Sequence, residues 1–163
     1  MKKYIIIILM IVLGAFFIIY IVSCIPKQID IVYPAVEYNT NNMSYEEKTS
    51  IKIQGKLYNK LFSRPTFYGR LIIDKYDMTK DYELIQLIFG AGLENQGFIY
   101  YTATDGFDAD LQYFGTIFIS KNFKTLNIQI NDDTDRQSGQ NLFISAPAKT
   151  REEAEEIFKA LHP

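Results

Sequence analysis

The stretch SIKIQGKLY (Ser50–Tyr58) sets the pattern that decides the fold of this chain. Ile51, Ile53 and Leu57 alternate with lysine and glutamine. A period of two is typical of a strand with one buried face and one solvated face. The stretch TLNIQIN (residues 125–131) repeats the alternation. Both stretches therefore predict half-buried strands of an antiparallel sheet.

Five further runs are rich in β-branched and aromatic residues and are bounded by Gly, Asp or Asn. They are GRLIID, ELIQLIF, FIYYTA, GTIFIS and LFISA. With the two alternating stretches, they give about seven strands between residues 51 and 146. The sequence predicts a mainly β fold of the α+β class, either an antiparallel meander sheet or a partly open barrel. One amphipathic helix follows the sheet and one apolar helix precedes it.

Two of the predicted strands resemble each other. FYGRLIID (Phe67–Asp74) and YFGTIFIS (Tyr113–Ser120) both read aromatic, aromatic, Gly, polar, aliphatic, any residue, Ile, polar, at an offset of 46 residues. The match predicts two similar three-stranded meanders within one sheet or barrel. Gly69 and Gly115 are expected to mark bulges or bends where the sheet curves.

The C-terminal segment carries the signals of an amphipathic helix. Thr150 and Glu153 fit a capping box. The apolar residues that follow recur at helical spacing: Ala154, Ile157, Phe158 and Leu161. This helix is expected to pack on the sheet and to keep its acidic face in solvent.

The N-terminal segment is apolar over 19 residues, from Tyr4 to Val22, without a charge or an amide side chain. As a helix it spans ~28 Å, close to the roughly 30 Å of a bilayer core. The following tetrad IVSC, which ends at Cys24, resembles a bacterial lipobox. On that reading Cys24 is lipidated and begins a mature chain of 140 residues. An uncleaved anchor and a lipoprotein signal peptide, both within residues 1–24, remain alternatives.

Charge indicates the orientation of the chain and excludes one class of partner. Lys2 and Lys3 precede the apolar run and Lys27 follows it. The positive-inside rule therefore favours a cytoplasmic N-terminus, with residues 25–163 on the extracytoplasmic side of the cell membrane. Residues 25–163 carry 15 basic and 19 acidic residues, a net charge of −4. That balance argues against nucleic acid as a partner. Cys24, the only cysteine, permits no internal disulfide.

Residues 25–50 are expected to form an extended tether. Pro26 and Pro34 interrupt a helix, and NTNNMS is a polar, turn-like cluster. The predicted organisation is an anchor or signal peptide at 1–24, the tether at 25–50, and a β-rich domain with its C-terminal helix at 51–163.

The sequence offers no conventional catalytic set. The only histidine, His162, precedes the last residue, where a frayed terminus is expected to leave it without a fixed position. Ser–His–Asp, Cys–His and His/Cys zinc chemistry are therefore not expected. FGAGLENQG (Phe89–Gly97) lacks the third glycine of a dinucleotide loop and is interpreted as a hairpin turn. No cofactor is expected.

Two acidic loops, TDGFDAD and NDDTDRQSGQN, contain the only candidate metal ligands. Their carboxylates are Asp105, Asp108 and Asp110 in the first loop, and Asp132, Asp133 and Asp135 in the second. Calcium prefers such clusters, and Asp133, Asp135 and Gln137 have the one-three-five spacing of an EF-hand. However, Ile144 stands where that motif requires Glu. Polar hairpin turns are the more typical interpretation of both loops.

The chain contains 12 tyrosines and 12 phenylalanines. Most are expected to fill the core. FIYY and YFG place some rings on the outer face of the sheet, where an exposed ledge can bind a sugar or a protein.

The basic start, IVSC, GTIFIS and the closing SAPAKTREEAEEIF resemble small membrane-anchored or lipoprotein β-domains of Gram-positive bacteria. The resemblance implies a location but no activity and no catalytic residue. We therefore expect a non-enzymatic, membrane-tethered module that binds an envelope protein or glycan. The alternatives are a carboxylate-based hydrolase of envelope polymer, with two acids converging in a cleft, and a calcium-binding envelope protein.

Overall fold

The computed structural model describes residues 2–61, 63–90, 95–103, 111–131 and 141–162. In these ranges nine strands form one antiparallel sheet in the order β4-β6-β7-β8-β9-β1-β2-β3-β5. The strands are β1 (Lys27–Asn39), β2 (Glu46–Tyr58), β3 (Thr66–Ile73), β4 (Glu83–Leu84), β5 (Leu87–Ile88), β6 (Gln96–Thr102), β7 (Leu111–Ile119), β8 (Leu126–Ile130) and β9 (Leu142–Ala146). The helices are α1 (Lys2–Cys24), α2 (Met78–Asp81) and α3 (Arg151–Leu161), with a short 3-10 turn at Lys121–Phe123.

The sheet curls into a nearly closed barrel. The chain from β4 to β5 joins the two edges, because β4 pairs with β6 and β5 pairs with β3. The amide of Ile85, between them, donates to the carbonyl of Tyr100 at 2.9 Å. This arrangement confirms the predicted α+β class, and it corresponds to the barrel among the two predicted alternatives.

The barrel interior is filled by alternate side chains of every long strand, as the period of two requires. The Phe123 ring packs between two others, with centroids 5.1 Å from Phe67 and 5.8 Å from Phe89. Tyr101 is fully buried, and its hydroxyl donates to the carbonyl of Leu71 at 2.6 Å. Burial raises the pKa of Tyr101.

Two glycines of the repeated pattern allow strands to approach unusually closely. A Cβ on Gly69 would lie 2.1 Å from the carbonyl oxygen of Gln54, and one on Gly115 would lie 2.1 Å from that of Gln129. The two glycines have similar close contacts, but their strands are arranged differently. Gly69 approaches the preceding strand β2, whereas Gly115 approaches the following strand β8.

The expected bulge occurs at Gly115. Ile99 of β6 pairs with Gly115 of β7, but Tyr100 pairs with Tyr113, so Phe114 is the extra residue. The bulge turns Phe114 into the core and keeps Tyr113 on the outer face. Gly69 has no such register shift: β2 and β3 pair without interruption on both sides of it.

The C-terminal helix agrees with its sequence signals. The side chain of Thr150 accepts a hydrogen bond from the amide of Glu153, and the Glu153 carboxylate accepts from the amide of Lys149 at 2.7 Å. The apolar stripe packs on the outer face of the sheet against Val36, Tyr38, Phe143 and Ala148. This contact covers the outward side chains of β1 and β9.

The expected tether at 25–50 is wrong for residues 27–39, which form β1 between β9 and β2. The predicted domain boundary at residue 51 likewise falls inside β2. Pro34 is compatible with this central strand because β9 pairs only with residues 36–39 of β1. The carbonyl of Pro34 faces that unpaired side and accepts from the amide of Ala148 at 3.0 Å.

Helix α1 is apolar and long enough to cross a membrane or to serve as a signal sequence. Its described side chains up to Val22 are exposed, and Cys24 at its end is a half-buried free thiol. Ile25 and Pro26 separate α1 from β1. We call the barrel end next to this junction the α1 end and the opposite end the far end. The β2–β3 and β7–β8 connections lie at the α1 end, and the β1–β2 turn and α2 lie at the far end.

Candidate functional site

An open pocket of about 560 Å³ lies at the far end of the barrel. Its walls are formed by the β3–α2 turn, α2 and the strands β7, β8 and β9 with the residue after β8: Tyr76, Met78, Leu111, Gln112, Tyr113, Phe114, Ile130, Asn131 and Leu142. Leu111 is 58% exposed at the rim. The lining mixes apolar and aromatic side chains with the amides of Gln112 and Asn131. A cleft of this size that combines apolar contact with polar groups is typical of ligand-binding sites.

The bulge in β7 shapes this pocket. Phe114, turned inward by the bulge, packs edge-to-face on Tyr76 and Tyr101, with centroids 5.2 and 5.9 Å away. Tyr113, one residue earlier, faces outward and lines the pocket from the rim. The bulge therefore places the Phe114 ring in the core and the Tyr113 ring on the outer surface beside it.

An aromatic ledge, composed of Phe98, Tyr100 and Tyr113, continues from the pocket onto the outer face of β6 and β7. The Tyr113 ring lies 5.1 Å from that of Tyr100 and 6.4 Å from that of Phe98, and Phe98 is 40% exposed. The hydroxyl of Tyr113 is hydrogen bonded to that of Thr116 at 2.8 Å. The ledge is the outward set of rings that FIYY and YFG predict.

Beside the pocket, a buried carboxylate holds three polar side chains. Glu37 is fully buried near the end of β1. One carboxylate oxygen accepts from the Tyr45 hydroxyl at 2.6 Å and from the Lys75 ammonium at 2.7 Å. The other accepts from the Tyr76 hydroxyl at 2.6 Å. Lys75 also forms an ion pair with Glu47, the residue opposite Glu37 on β2. These five residues form the Glu37 cluster.

The electrostatics of the Glu37 cluster favour the charged forms of Lys75 and Glu47. Burial disfavours a charge on Lys75, but hydrogen bonds to Glu37 and Glu47 outweigh that effect and raise the pKa of Lys75. The hydrogen bond from Lys75 holds the pKa of Glu47 below its usual range. Burial, together with the hydrogen bond to Glu37, raises the pKa of Tyr45 to about 12. Lys75 and Glu47 are therefore charged at neutral pH, and Tyr45 is neutral and able to donate its hydrogen bond.

The Glu37 cluster is built to hold the far end together. Tyr45 belongs to the β1–β2 turn, and Lys75 and Tyr76 to the β3–α2 turn. The carboxylate has no exposed surface, so a substrate cannot reach it without opening both turns. Tyr76 belongs to the cluster through its hydroxyl and to the pocket through its ring, so the cluster fixes one wall of the pocket.

The single histidine is held in place, contrary to the expectation of a frayed terminus. The His162 imidazole lies 3.9 Å from the Phe118 ring and 4.2 Å from the Phe158 ring. Its Nε2 hydrogen donates to Oδ1 of Asn127 at 3.0 Å, and the Asn127 amide donates to Ser145 at 2.9 Å. Burial lowers the pKa of His162. This network joins α3 to β8 and β9, so His162 packs α3 onto the sheet.

Of the sequence-predicted candidate residues, Cys24 is the one that lies within the described ranges. Cys24 lies at the end of α1, at the opposite end of the barrel. Asp105, Asp108, Asp110, Asp132, Asp133 and Asp135 lie outside the described residues. Within the described ranges, His, Cys, Asp and Glu side chains form no group of three that could hold a metal ion.

Sequence reasoning missed the Glu37 cluster, although one signal was present. In VYPAVEYN, Glu37 is an acid at an inward position of a strand with buried apolar neighbours. An acid at such a position requires partners. Those partners, Tyr45, Lys75 and Tyr76, are 8, 38 and 39 residues away along the chain, too far for local pattern analysis.

Comparison of the chain with protein-family models, with curated proteins and with solved structures finds no significant match.

Proposed function

We propose that this protein is a non-enzymatic, membrane-tethered extracytoplasmic binding module whose far-end pocket and adjoining aromatic ledge take an apolar or aromatic group of an envelope protein or glycan. The observation that carries the proposal is the position of the pocket. It opens at the barrel end opposite α1. A body attached through α1 would therefore present this opening away from the membrane.

The proposed location rests on α1 and the residues around it. Its length and apolar composition fit a membrane span or a signal sequence. The lysines that precede it favour export of residues 25–163. Attachment by an uncleaved helix and attachment by a lipid on Cys24 both fit, because β1 begins three residues after Cys24 in either case. The resemblance to anchored β-domains of Gram-positive bacteria agrees with this location.

Binding is favoured over hydrolysis because of the chemistry beside the pocket. The hydrolase alternative requires two acids that converge in a cleft and are open to substrate and water. Glu37 is buried and its two oxygens accept three hydrogen bonds, while Glu47 is paired with Lys75. The described pocket lining offers apolar, aromatic and amide groups instead. Calcium binding by the acidic loops remains a separate prediction.

Site-specific photo-crosslinking in intact cells tests the proposal. A benzophenone amino acid placed at Leu111 or Met78 in the full chain reports contact at the pocket. The same group at Val32, 62% exposed on β1 and outside the pocket lining, is the matched control. We expect a discrete adduct from the pocket positions and none from Val32.

Competition within the site strengthens the test. Leu111→Glu places a charge at the exposed rim and should abolish the adduct formed from Met78 without unfolding the protein. Absence of any adduct from both pocket positions, or equal adducts from the pocket and from Val32, would refute the proposed site.

A further inference from the structure

Charge is separated between the two ends of the barrel, although residues 25–163 have a net charge of only −4. Among the described residues, six exposed cations lie on the strand ends and connections of the α1 end: Lys27, Lys56, Lys60, Arg64, Lys121 and Lys124. Exposed acids surround the far end: Glu46, Glu47, Asp74, Asp77, Asp81, Glu83 and Glu152. The described cations near that end include Lys75 and Lys80, which are already paired with acids.

The six cations belong to one surface, which we call the basic end. Lys27 and Lys56 lie on paired strands at the start of β1 and the end of β2. The β2–β3 and β7–β8 connections, which carry the other four, meet in one small pocket lined by Asn59 and Lys121. None of the six forms an ion pair within the described part of the chain. Two acids, Asp30 and Glu156, are set back from it along β1 and α3.

Part of the basic end forms a recess with the chemistry of a phosphate site. Tyr58, Lys60, Ser63, Arg64, Thr66 and Tyr68 line it. The Tyr58 and Tyr68 rings are 5.6 Å apart, and the Lys60 ammonium lies 5.7 Å from the Tyr58 ring centroid. Lysine and arginine bind phosphate through charge-assisted hydrogen bonds, and tyrosines are enriched at the headgroup level of membranes.

The basic end also lies directly beside the apolar helix. Only Ile25 and Pro26 separate α1 from β1, so Lys27 lies within about 10 Å of Cys24 even with the chain fully extended. Cations next to a membrane segment are attracted by anionic lipids. We propose that the basic end docks on the anionic lipid surface of the leaflet from which α1 emerges, with lipid phosphates in the recess. The proposal rests on the membrane attachment of α1, and not on the far-end ligand.

Lysine footprinting of the full chain tests this docking. The protein is placed in nanodiscs of phosphatidylcholine, alone or mixed with phosphatidylglycerol, and exposed lysines are acylated with a water-soluble reagent. We expect Lys60, Lys121 and Lys124 to react at least about fivefold more slowly in the anionic discs, the factor expected from one cation at an anionic surface. At about 1 M salt, where the Debye length is roughly 3 Å, the protection should disappear.

Lys48 and Lys149 are controls in the same molecule, because they are exposed and lie outside the basic end. Their rates should be the same in both discs. Lys60→Ala with Arg64→Ala should remove most of the protection at Lys121, whereas Lys48→Ala with Lys149→Ala should not. An unchanged slow rate at Lys75, which is 26% exposed and ion-paired with Glu37, shows that the first double variant is folded.

Several results would overturn the proposal. They are equal rates for the basic-end lysines in both discs, protection that persists in high salt, and failure of the chain to enter the discs. Protection by soluble polyphosphate but not by phosphatidylglycerol would assign the surface to an anionic polymer instead. Photo-crosslinking at the far end is a separate measurement, so failure of the lipid contact and failure of the ligand pocket can be told apart.

Discussion

Substitution of Glu37 tests whether the buried carboxylate stabilises the far end. Glutamine has the same shape and keeps one acceptor oxygen, which can serve Lys75 and Tyr45. Its amide can donate to the Tyr76 hydroxyl, because a hydroxyl both donates and accepts. Glu37→Gln therefore preserves the number of hydrogen bonds but removes the charge. Hydrogen bonds to charged groups contribute about 1.5–3 kcal/mol and neutral ones about 1, so we expect a loss of about 2 kcal/mol.

Glu37→Ala should cost more, because it removes both acceptor oxygens from three donors. Breaking a buried ion pair from one side costs about 3–5 kcal/mol. Lys75 is 26% exposed and keeps Glu47 as a partner, so we expect a value near the lower limit. Lys75→Met removes the positive charge of the same ion pair. When combined with Glu37→Gln it should cost less than the sum of the two single losses, by at least about 1 kcal/mol.

Urea unfolding of the full chain in a nonionic detergent measures these free energies. Near-ultraviolet circular dichroism reports the tyrosines, since the chain has no tryptophan. The expected order of stability is wild type, then Glu37→Gln, then Glu37→Ala. A Glu37→Gln loss below about 0.5 kcal/mol would refute a stabilising role for the charge. Loss of the Leu111 photo-adduct without loss of stability would instead place Glu37 in the ligand site.

Three further predictions concern other parts of the barrel. Gly69→Ala should destabilise by about 3 kcal/mol or more in urea unfolding, because its Cβ would lie 2.1 Å from a backbone oxygen, whereas Gly14→Ala in α1 has no atom within 4 Å and should be neutral. Arg151 donates to four carbonyls of residues 39–45, so Arg151→Lys should cost about 2 kcal/mol and speed amide hydrogen exchange in that turn. The lowered pKa of His162 means that the folded state favours the neutral imidazole. The stability that this provides is present above the unfolded pKa of about 6.5 and is lost as the pH falls through the folded pKa. The urea midpoint should therefore fall less between pH 8 and pH 5 in His162→Gln than in the wild type.

Local sequence patterns were sufficient to predict the elements whose signals lie within a few residues of one another. The alternation of β2 and β8 and the capping residues of α3 act over two to four residues, and the structure confirms these elements. The predicted solvated face of β8 is wrong at Asn127, which is fully buried and hydrogen bonded to His162. β1 was missed because prolines signal irregular backbone, while its compatibility with Pro34 depends on where β9 stops, more than 100 residues later. ELIQLIF was predicted as one strand, but it forms two strands of two residues each, β4 and β5, on opposite edges of the sheet.

The site was less predictable than the fold because its residues meet only after the barrel closes. The pocket combines α2 with the ends of β7, β8 and β9, and neither an apolar run nor a turn signal indicates which strand ends will converge. Glu37 was visible as an acid among buried positions, but its partner Lys75 is 38 residues away. The bulge at Gly115 was expected, yet its effect on Phe114 follows from the pairing of β6 with β7.

The separation of charge between the two barrel ends would orient the far-end pocket relative to the membrane to which the chain is attached. The two-residue connection between α1 and β1, Ile25 and Pro26, fixes which barrel end is near the membrane, but it leaves the barrel free to tilt. Attraction between the basic end and anionic lipid would oppose that tilt, and repulsion of the acidic far end would act in the same direction. The pocket would then face away from the membrane whether α1 spans it or a lipid on Cys24 replaces α1. Neutralising the basic end should therefore lower the yield of the far-end photo-adduct even though no residue of the pocket is changed.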